Sequence, residues 1–393
     1  MAKESEHLLG NYNSLPVMTK HAEGVWVTDV EGKRYIDGVS AYSANNFGHR
    51  HPEIIAEAHS QLDEITLISR AFMSDQLGPF TDALSRLAEK EVVLPMNTGA
   101  EGVESGLKIL RKWGNDVKGV PEGMGNIVVG ENNFHGRTIS IVSFSSDQEA
   151  YFGPYTPGFR PVEFGNIKEL EQAVDENTVG VLLEPVQGEA GIIIPPDDYL
   201  PAVREICTQN NVKLVIDEIQ SGFGRTGKTF ASEHWDVVPD AYIFGKALGG
   251  GVVPLSAVVG DRDLMEVIHA GEHGSTFGGN PLAAAIGSKV INLMNTGWFQ
   301  RNAQERGAQL SERLEDMVRR GLAIESFRCI GFWAGVDIDP KYKSGRQMCE
   351  DSVEEGLLIK DTHGSTVRLS PPLSMTEEEL DLAMDRFESA LEK

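Results

Sequence analysis

VKLVIDEIQSGFGRTGKTFASEHWDVVPDAYIFGKALGGG, residues 212–251, is the stretch whose reading decides the fold. It opens and closes on short apolar runs, 212–217 and 241–244, of the length and β-branched character of buried strands. The first ends in Asp217, and the second leads through Gly245 to Lys246, 29 residues further on. That interval is about one strand–crossover–strand unit, so neighbouring strands of a parallel sheet can present both side chains at one edge. In open α/β sheets that edge is where ligands bind.

Outward from this stretch the same alternation continues. Strand signals fall at 126–130, 139–144, 179–184 and 255–259, and helical spacing of apolar residues runs through 99–113 and 197–210. After Gly297 the texture changes to a long helix over 298–320, strand-like pieces within 323–338, a helix near 344–356 and a closing helix from 376. Thr376 and Glu379 form a capping-box signature for that last helix. The segment 24–38 reads as a hairpin turning at Glu31-Gly32. These readings divide the chain into an N-terminal segment, 1–45, a large domain, 46–288, and a smaller C-terminal α/β domain, 289–393, with the N-terminal segment packing beside the small domain.

A chain of 393 residues with 40% hydrophobic and 24% charged residues has an ordinary globular composition and length for a large core. Its formal net charge of −24 repels phosphate backbones and anionic membrane surfaces, so neither nucleic acid nor membrane is an expected partner. Cys207, Cys329 and Cys349 are odd in number and far apart, which suits a reducing cytoplasm and offers no metal-site spacing. The charged start, MAKESEH, and the short, interrupted apolar stretches predict neither a leader nor a membrane span.

Residues 222–229, GFGRTGKT, satisfy the phosphate-loop pattern of nucleotide-binding proteins. Such a loop must run from a strand directly into a helix, whose N-terminus helps to hold the phosphates. The next ten residues, FASEHWDVVP, make a poor helix, and the acid that should hold magnesium lies on the strand just before the glycines rather than on another strand. A nucleotide-binding module is therefore the weaker reading.

Lys246, before a glycine run, is placed to form a Schiff base if its charge is suppressed; a surface lysine at a strand end is the ordinary alternative. Asp217 can pair with the protonated ring nitrogen of pyridoxal phosphate, or else cap a strand end. Together, LVIDEIQSGFGRTG, IFGKALGGG, NNFHGRT, EPVQGEAG and GSTFGGNPLA resemble the class III aminotransferases, a pyridoxal-phosphate family. The likeness covers roughly residues 10 to 390. Within the class, NYNSLPV at 11–17, SAYSANN at 40–46, LISRAFMSDQLGPF at 67–80, PMNTGAE at 95–101 and RKWG at 111–114 are similar to the ornithine aminotransferases. Acetylornithine and 4-aminobutyrate aminotransferases of the same class are the nearest alternatives.

The resemblance implies a fold-type-I α/β architecture with a mainly parallel seven-stranded sheet, pyridoxal 5′-phosphate as cofactor, no metal, and L-ornithine and 2-oxoglutarate or glutamate as substrates. It implies that Lys246 joins the cofactor and carries the proton between the substrate carbon and the cofactor's C4′ carbon, that Asp217 holds the pyridine nitrogen, that Phe134 stacks on the ring and that Gln220 reaches its phenolic oxygen. Gly99 and Ala100 would bind the phosphate from a helix N-terminus, completed by Thr276 and Ser275 of a second subunit, which makes an active homodimer the expected assembly. Arg137 and Arg368 would bind substrate carboxylates, Tyr12 and Tyr42 would line the substrate pocket, and Glu189 would pair with Arg368 while ornithine is bound.

Overall fold

The computed structural model describes residues 6–145 and 151–393. Its centre is a seven-stranded sheet ordered Val92–Met96, Ser256–Gly260, Ala241–Phe244, Lys213–Asp217, Thr178–Leu183, Asn126–Gly130, Phe159–Val162. Ser256–Gly260 runs antiparallel to both neighbours, and the remaining pairings are parallel. Apart from Lys213, the inner strands are buried along their whole length, as expected of a parallel sheet covered on both faces. Their side chains alternate between two cores. Val128, Val181, Leu214 and Ile216 point into one, and Ile127, Val129, Val179 and Val215 into the other.

Helix Gly99–Trp113 lies on the second face through Val103, Leu107 and Leu110. Its start is fixed by a capping box: Thr98 accepts from the Glu101 amide, and the Glu101 carboxylate accepts from the Thr98 amide. Helix Pro281–Met294 packs on helices Pro52–Leu62 and Leu77–Ala88, and it is unbroken across residue 288, where the sequence had suggested a domain boundary.

Two smaller four-stranded sheets flank this unit. One is antiparallel, ordered Ile324–Cys329, Ala334–Ile338, Thr366–Leu369, Lys360–Thr362. The other joins the N-terminal strands Thr19–Glu23, Trp26–Asp29 and Arg34–Asp37 to Leu357–Leu358 near the other end of the chain. Trp26 Nε1 donates to Glu379 Oε1 at 3.0 Å, and the capping box predicted for the closing helix, Glu377–Glu392, is formed.

One strand expected from the sequence is absent: residues 139–144 form turns and a short 3₁₀ segment, Ile141–Ser143. Thr138 Oγ1 accepts from the Ile141 amide and Ser143 Oγ donates to the Ile139 carbonyl, so local hydroxyls take the backbone partners a strand would need. Conversely, Val92–Met96 and Phe159–Val162 went unread. Each contains a proline, Pro95 or Pro161, which argues against a central strand, and both lie at the sheet's edges, where proline is tolerated.

Candidate active site

Four adjacent parallel strands end on one edge, and each delivers polar or aromatic groups there. Asn126–Gly130 leads to Phe134 and His135, Thr178–Leu183 to Glu184, Lys213–Asp217 ends in Asp217, and Ala241–Phe244 leads to Lys246. Asp217 is in register with Ile243, so Asp217 and Lys246 come from neighbouring strand ends. Together with Gly99, Ala100, Val186, Ile219 and Gln220 these residues line a cavity of about 180 Å³.

The electrostatics of the cavity follow from burial. Desolvation pulls the Lys246 amine below the ordinary lysine range, against the opposing pull of Glu189, Asp217 and Glu184, and an amine with suppressed charge is a nucleophile. Lys246 also sits at φ +44°, a left-handed conformation that costs a side-chain-bearing residue roughly 1–3 kcal/mol and persists only where surrounding structure enforces it. Asp217 is held by two donors: His135 Nδ1 at 2.6 Å from Oδ2, and the Ile219 amide at 2.9 Å from Oδ1. Burial opposes a charged His135, yet Asp217 and Glu184 keep its pKa above the usual value. Burial pushes the Glu184 carboxyl up to about 7. Its oxygens accept from the amides of Phe134, at 3.0 Å, and Gly188, at 3.4 Å.

Gly99 and Ala100 are the first two residues of helix Gly99–Trp113, where backbone amides have no intrahelical acceptor and the helix dipole favours an anion. A Cβ on Gly99 would lie 3.0 Å from Ile219 Cδ1, so glycine allows the helix end to approach the cavity wall.

Glu189 and Arg368 are in direct contact. Arg368 Nη1 donates to Glu189 Oε1 at 2.5 Å, and the guanidinium lies 5.0 Å from the Tyr42 ring centroid. Burial alone would raise the Glu189 pKa, but Arg368, Lys246 and Arg137 carry it below the usual range. Arg137 is exposed, its guanidinium 5.4 Å from the Phe134 ring centroid. Tyr42 sits in four successive left-handed residues, Ser40 to Ser43, a conformation costing on the order of 1–2 kcal/mol per residue. The turn is held by Arg225, from the phosphate-loop-like motif. Arg225 is 0% exposed and donates to Ser40 Oγ, Ser43 Oγ, Asn46 Oδ1 and the Phe332 and Pro371 carbonyls. That motif runs through turns into the short 3₁₀ segment Ala231–Trp235, not into an α-helix, and its arginine is internal scaffolding.

Seven expected residues are not among those lining the cavity: Tyr42, Arg137, Glu189 and Arg368, whose contacts are given above, and Tyr12, Ser275 and Thr276. Tyr12 is 67% exposed on the N-terminal segment, whose Asn13 and Ser14 carbonyls are held by Arg346. Thr276 is exposed, and Ser275 Oγ accepts from Asn97 Nδ2 at 2.7 Å, just before the helix start at Gly99. The sequence reading overlooked His135 and Glu184, although both lie in motifs it singled out. Applying to residue 184 the strand-end argument used for Asp217 would have found the second.

A parallel sheet whose C-terminal edge sets a charge-suppressed lysine beside a buried carboxylate, with a helix N-terminus opening on the same cavity, defines a pyridoxal-phosphate-dependent α/β transferase. A family model for class-III aminotransferases matches residues 9–391, and the chain belongs to that family. It is 50% identical over 383 residues to an ornithine aminotransferase of Brevibacillus brevis, an alignment covering 97% of this chain and 95% of that protein. Among solved structures, the ornithine aminotransferase of Toxoplasma gondii superposes with a TM-score of 0.97 at 37% identity, covering 99% of this chain and 93% of that one. An acetylornithine aminotransferase from Elizabethkingia anophelis superposes at 0.91 with 38% identity, covering 99% and 97%. The cavity residues fit pyridoxal 5′-phosphate: an amine for its aldehyde, a carboxylate for its ring nitrogen and helix amides for its phosphate.

Proposed function

We propose that this chain is an ornithine δ-aminotransferase, converting L-ornithine and 2-oxoglutarate to L-glutamate 5-semialdehyde and L-glutamate by a ping-pong mechanism. Bound in the cavity, pyridoxal phosphate supplies an aldehyde that captures amines and a ring that withdraws electrons from the substrate carbon. The chain's own groups do the rest. Lys246 moves the proton at the reacting carbon, and Asp217, held by His135 and the Ile219 amide, keeps the ring nitrogen protonated. Phe134 would cover one ring face, Gln220 would reach the phenolic oxygen and the Gly99 and Ala100 amides would take the phosphate, all four being residues that line the cavity.

The observation that carries the choice of substrate is the closed Glu189–Arg368 pair beside Lys246. A free Arg368 would capture the ornithine α-carboxylate and present the α-amine. With Arg368 occupied by Glu189, the α-carboxylate goes to Arg137, with Tyr12 and Tyr42 as pocket walls, and the δ-amine reaches the cofactor. For glutamate or 2-oxoglutarate the pair opens, so that Arg368 binds the α-carboxylate and Arg137 the γ-carboxylate. The names of the relatives at about half identity support the same substrate.

Exposure of Thr276, on a loop outside its own chain's cavity, supports an assembly in which a second copy supplies it, with neighbouring Ser275, to the phosphate site, so that the active unit is a homodimer. We place it in the cytoplasm. Among the described residues no helix is long and apolar enough to cross a membrane. The test is an absorption spectrum of the purified protein followed through ornithine addition, then turnover on ornithine, acetylornithine and 4-aminobutyrate with 2-oxoglutarate as common acceptor. Preference for acetylornithine or 4-aminobutyrate would overturn the assignment.

A further inference from the structure

The loop that carries Glu189 is fastened at several points along its backbone. It closes on itself through paired Gln187–Ile193 backbone hydrogen bonds of 3.1 and 2.9 Å. Gln187 Nε2 donates to the Glu131 carbonyl at 2.7 Å, and the Gly188 amide donates to Glu184. Ile192 is fully buried against Val186 and Trp333 at φ +60°, an outlier for a β-branched residue that only firm tertiary contacts sustain. The Gly191 carbonyl accepts from Arg328 Nε and Nη2 at 3.0 and 2.9 Å, and Arg328 is itself held by Asp337. A Cβ on Gly335 would lie 2.3 Å from that carbonyl, so the loop is seated directly on strand Ala334–Ile338.

Glu189 itself is held by a hairpin formed from strands Lys360–Thr362 and Thr366–Leu369. Arg368, on the second strand, takes its carboxylate, while Thr362, at the end of the first, donates its hydroxyl to the Glu189 carbonyl at 2.6 Å. The hairpin thus grips one residue by backbone and by side chain. Thr362 is not among the residues lining the cofactor cavity, and its bond is to the Glu189 carbonyl rather than to the carboxylate that meets Arg368.

We propose that Thr362 is a specificity-positioning residue that fixes the backbone of Glu189, making the gate a movement of one side chain about a stationary base. This rests on the reading of the Glu189–Arg368 pair as a substrate switch. When a dicarboxylate displaces the Glu189 side chain from Arg368, the carbonyl stays held and the carboxylate remains poised to return. Without the hydroxyl the Glu189 backbone is less ordered, and the closed arrangement, which needs one placement of the carboxylate on Arg368, is weakened more than the open one, which does not; a ligand that needs Arg368 free gains by that difference.

The experiment uses the holoenzyme and Thr362→Val, Thr362→Ala and Thr362→Ser, with Glu189→Ala as reference. One readout is equilibrium binding of glutarate, a dicarboxylate with nothing to transaminate; the other is the ratio of single-turnover efficiency with ornithine to that with glutamate. Loss of one net hydrogen bond shifts an equilibrium by about fivefold. Thr362→Val and Thr362→Ala are therefore expected to bind glutarate more tightly, by up to about fivefold, and to lower the ornithine-to-glutamate ratio by a similar factor. Thr362→Ser, which keeps the hydroxyl, retains the parent values. If Glu189→Ala tightens glutarate and both hydroxyl-free variants do not, or if serine shifts as far as valine, the role of Thr362 is overturned and the switch survives. If Glu189→Ala itself leaves glutarate binding and the ratio unchanged, the switch falls and this proposal with it.

Discussion

Glu189→Ala puts the proposed gate to its most direct test. In the parent protein Arg368 has a side chain only 4% exposed and closes on Glu189 at 2.5 Å, with the carboxylate side chain 25% exposed. Removing one partner of a fully buried pair costs about 3–5 kcal/mol, and the partial exposure of Glu189 argues for roughly half of that here. Since about 1.4 kcal/mol is tenfold in rate, the ratio of ornithine to glutamate efficiency should fall by at least about tenfold. The direction is specific. The freed Arg368 favours α-carboxylates, so the glutamate half-reaction is retained or improved while ornithine begins to react at its α-amine. Single-turnover absorbance changes with each donor give the ratio. Product analysis gives the site of attack: the two ornithine products cyclise to different pyrrolines, and borodeuteride reduction leaves deuterium at C5 after δ-transfer or at C2 after α-transfer. A variant with the parent ratio and deuterium only at C5 would refute the gating role.

Lys246→Ala should leave a folded protein without turnover, because the fold rests on packing while proton transfer at the reacting carbon needs this amine; near-normal activity beside an unchanged melting curve would remove it from the mechanism. Glu218, fully buried with its carboxyl pushed up to about 7 from an ordinary 4.5, binds a proton in the folded state that the unfolded chain has released between those values. Its contribution to stability is therefore present below about pH 4.5 and lost as pH rises towards 7, by on the order of 3 kcal/mol. Glu218→Gln should flatten the fall in Tm over that interval, and an unchanged slope would contradict the assignment. Arg225→Met replaces five internal donor contacts by none and leaves Ser40, Ser43 and Asn46 without their cation, so a loss of about 3 kcal/mol or more in denaturant unfolding is expected. A loss below about 1 kcal/mol would mean that the left-handed turn at 40–43 does not depend on it.

Much of the central sheet was legible because its signals are local. Buried parallel strands are short apolar runs, so 126–130, 212–217 and 241–244 declare themselves, as do helices with strong caps such as Gly99–Trp113 and Glu377–Glu392. Motif spacing together with family resemblance likewise supplied Lys246, Asp217 and the idea of a Glu189–Arg368 pair. What the sequence could not give depends on contacts between residues far apart in the chain. The apolar run 139–144 is undone by hydroxyls that satisfy its backbone locally, and the proline-containing strands exist because the sheet offers them an edge. Tyr42 reaches Arg368 through a left-handed turn that local preference opposes, enforced by Arg225 from 182 residues away. His135 and Glu184 gain their character only when burial beside Asp217 shifts their proton affinities. Thr362, unremarked in the sequence, meets the Glu189 carbonyl only because the last sheet folds back onto the strand-end loops of the first. Local pattern determines which segments become strands and helices; tertiary packing decides which polar groups lose water and which partners replace it, and in this protein that exchange makes the site.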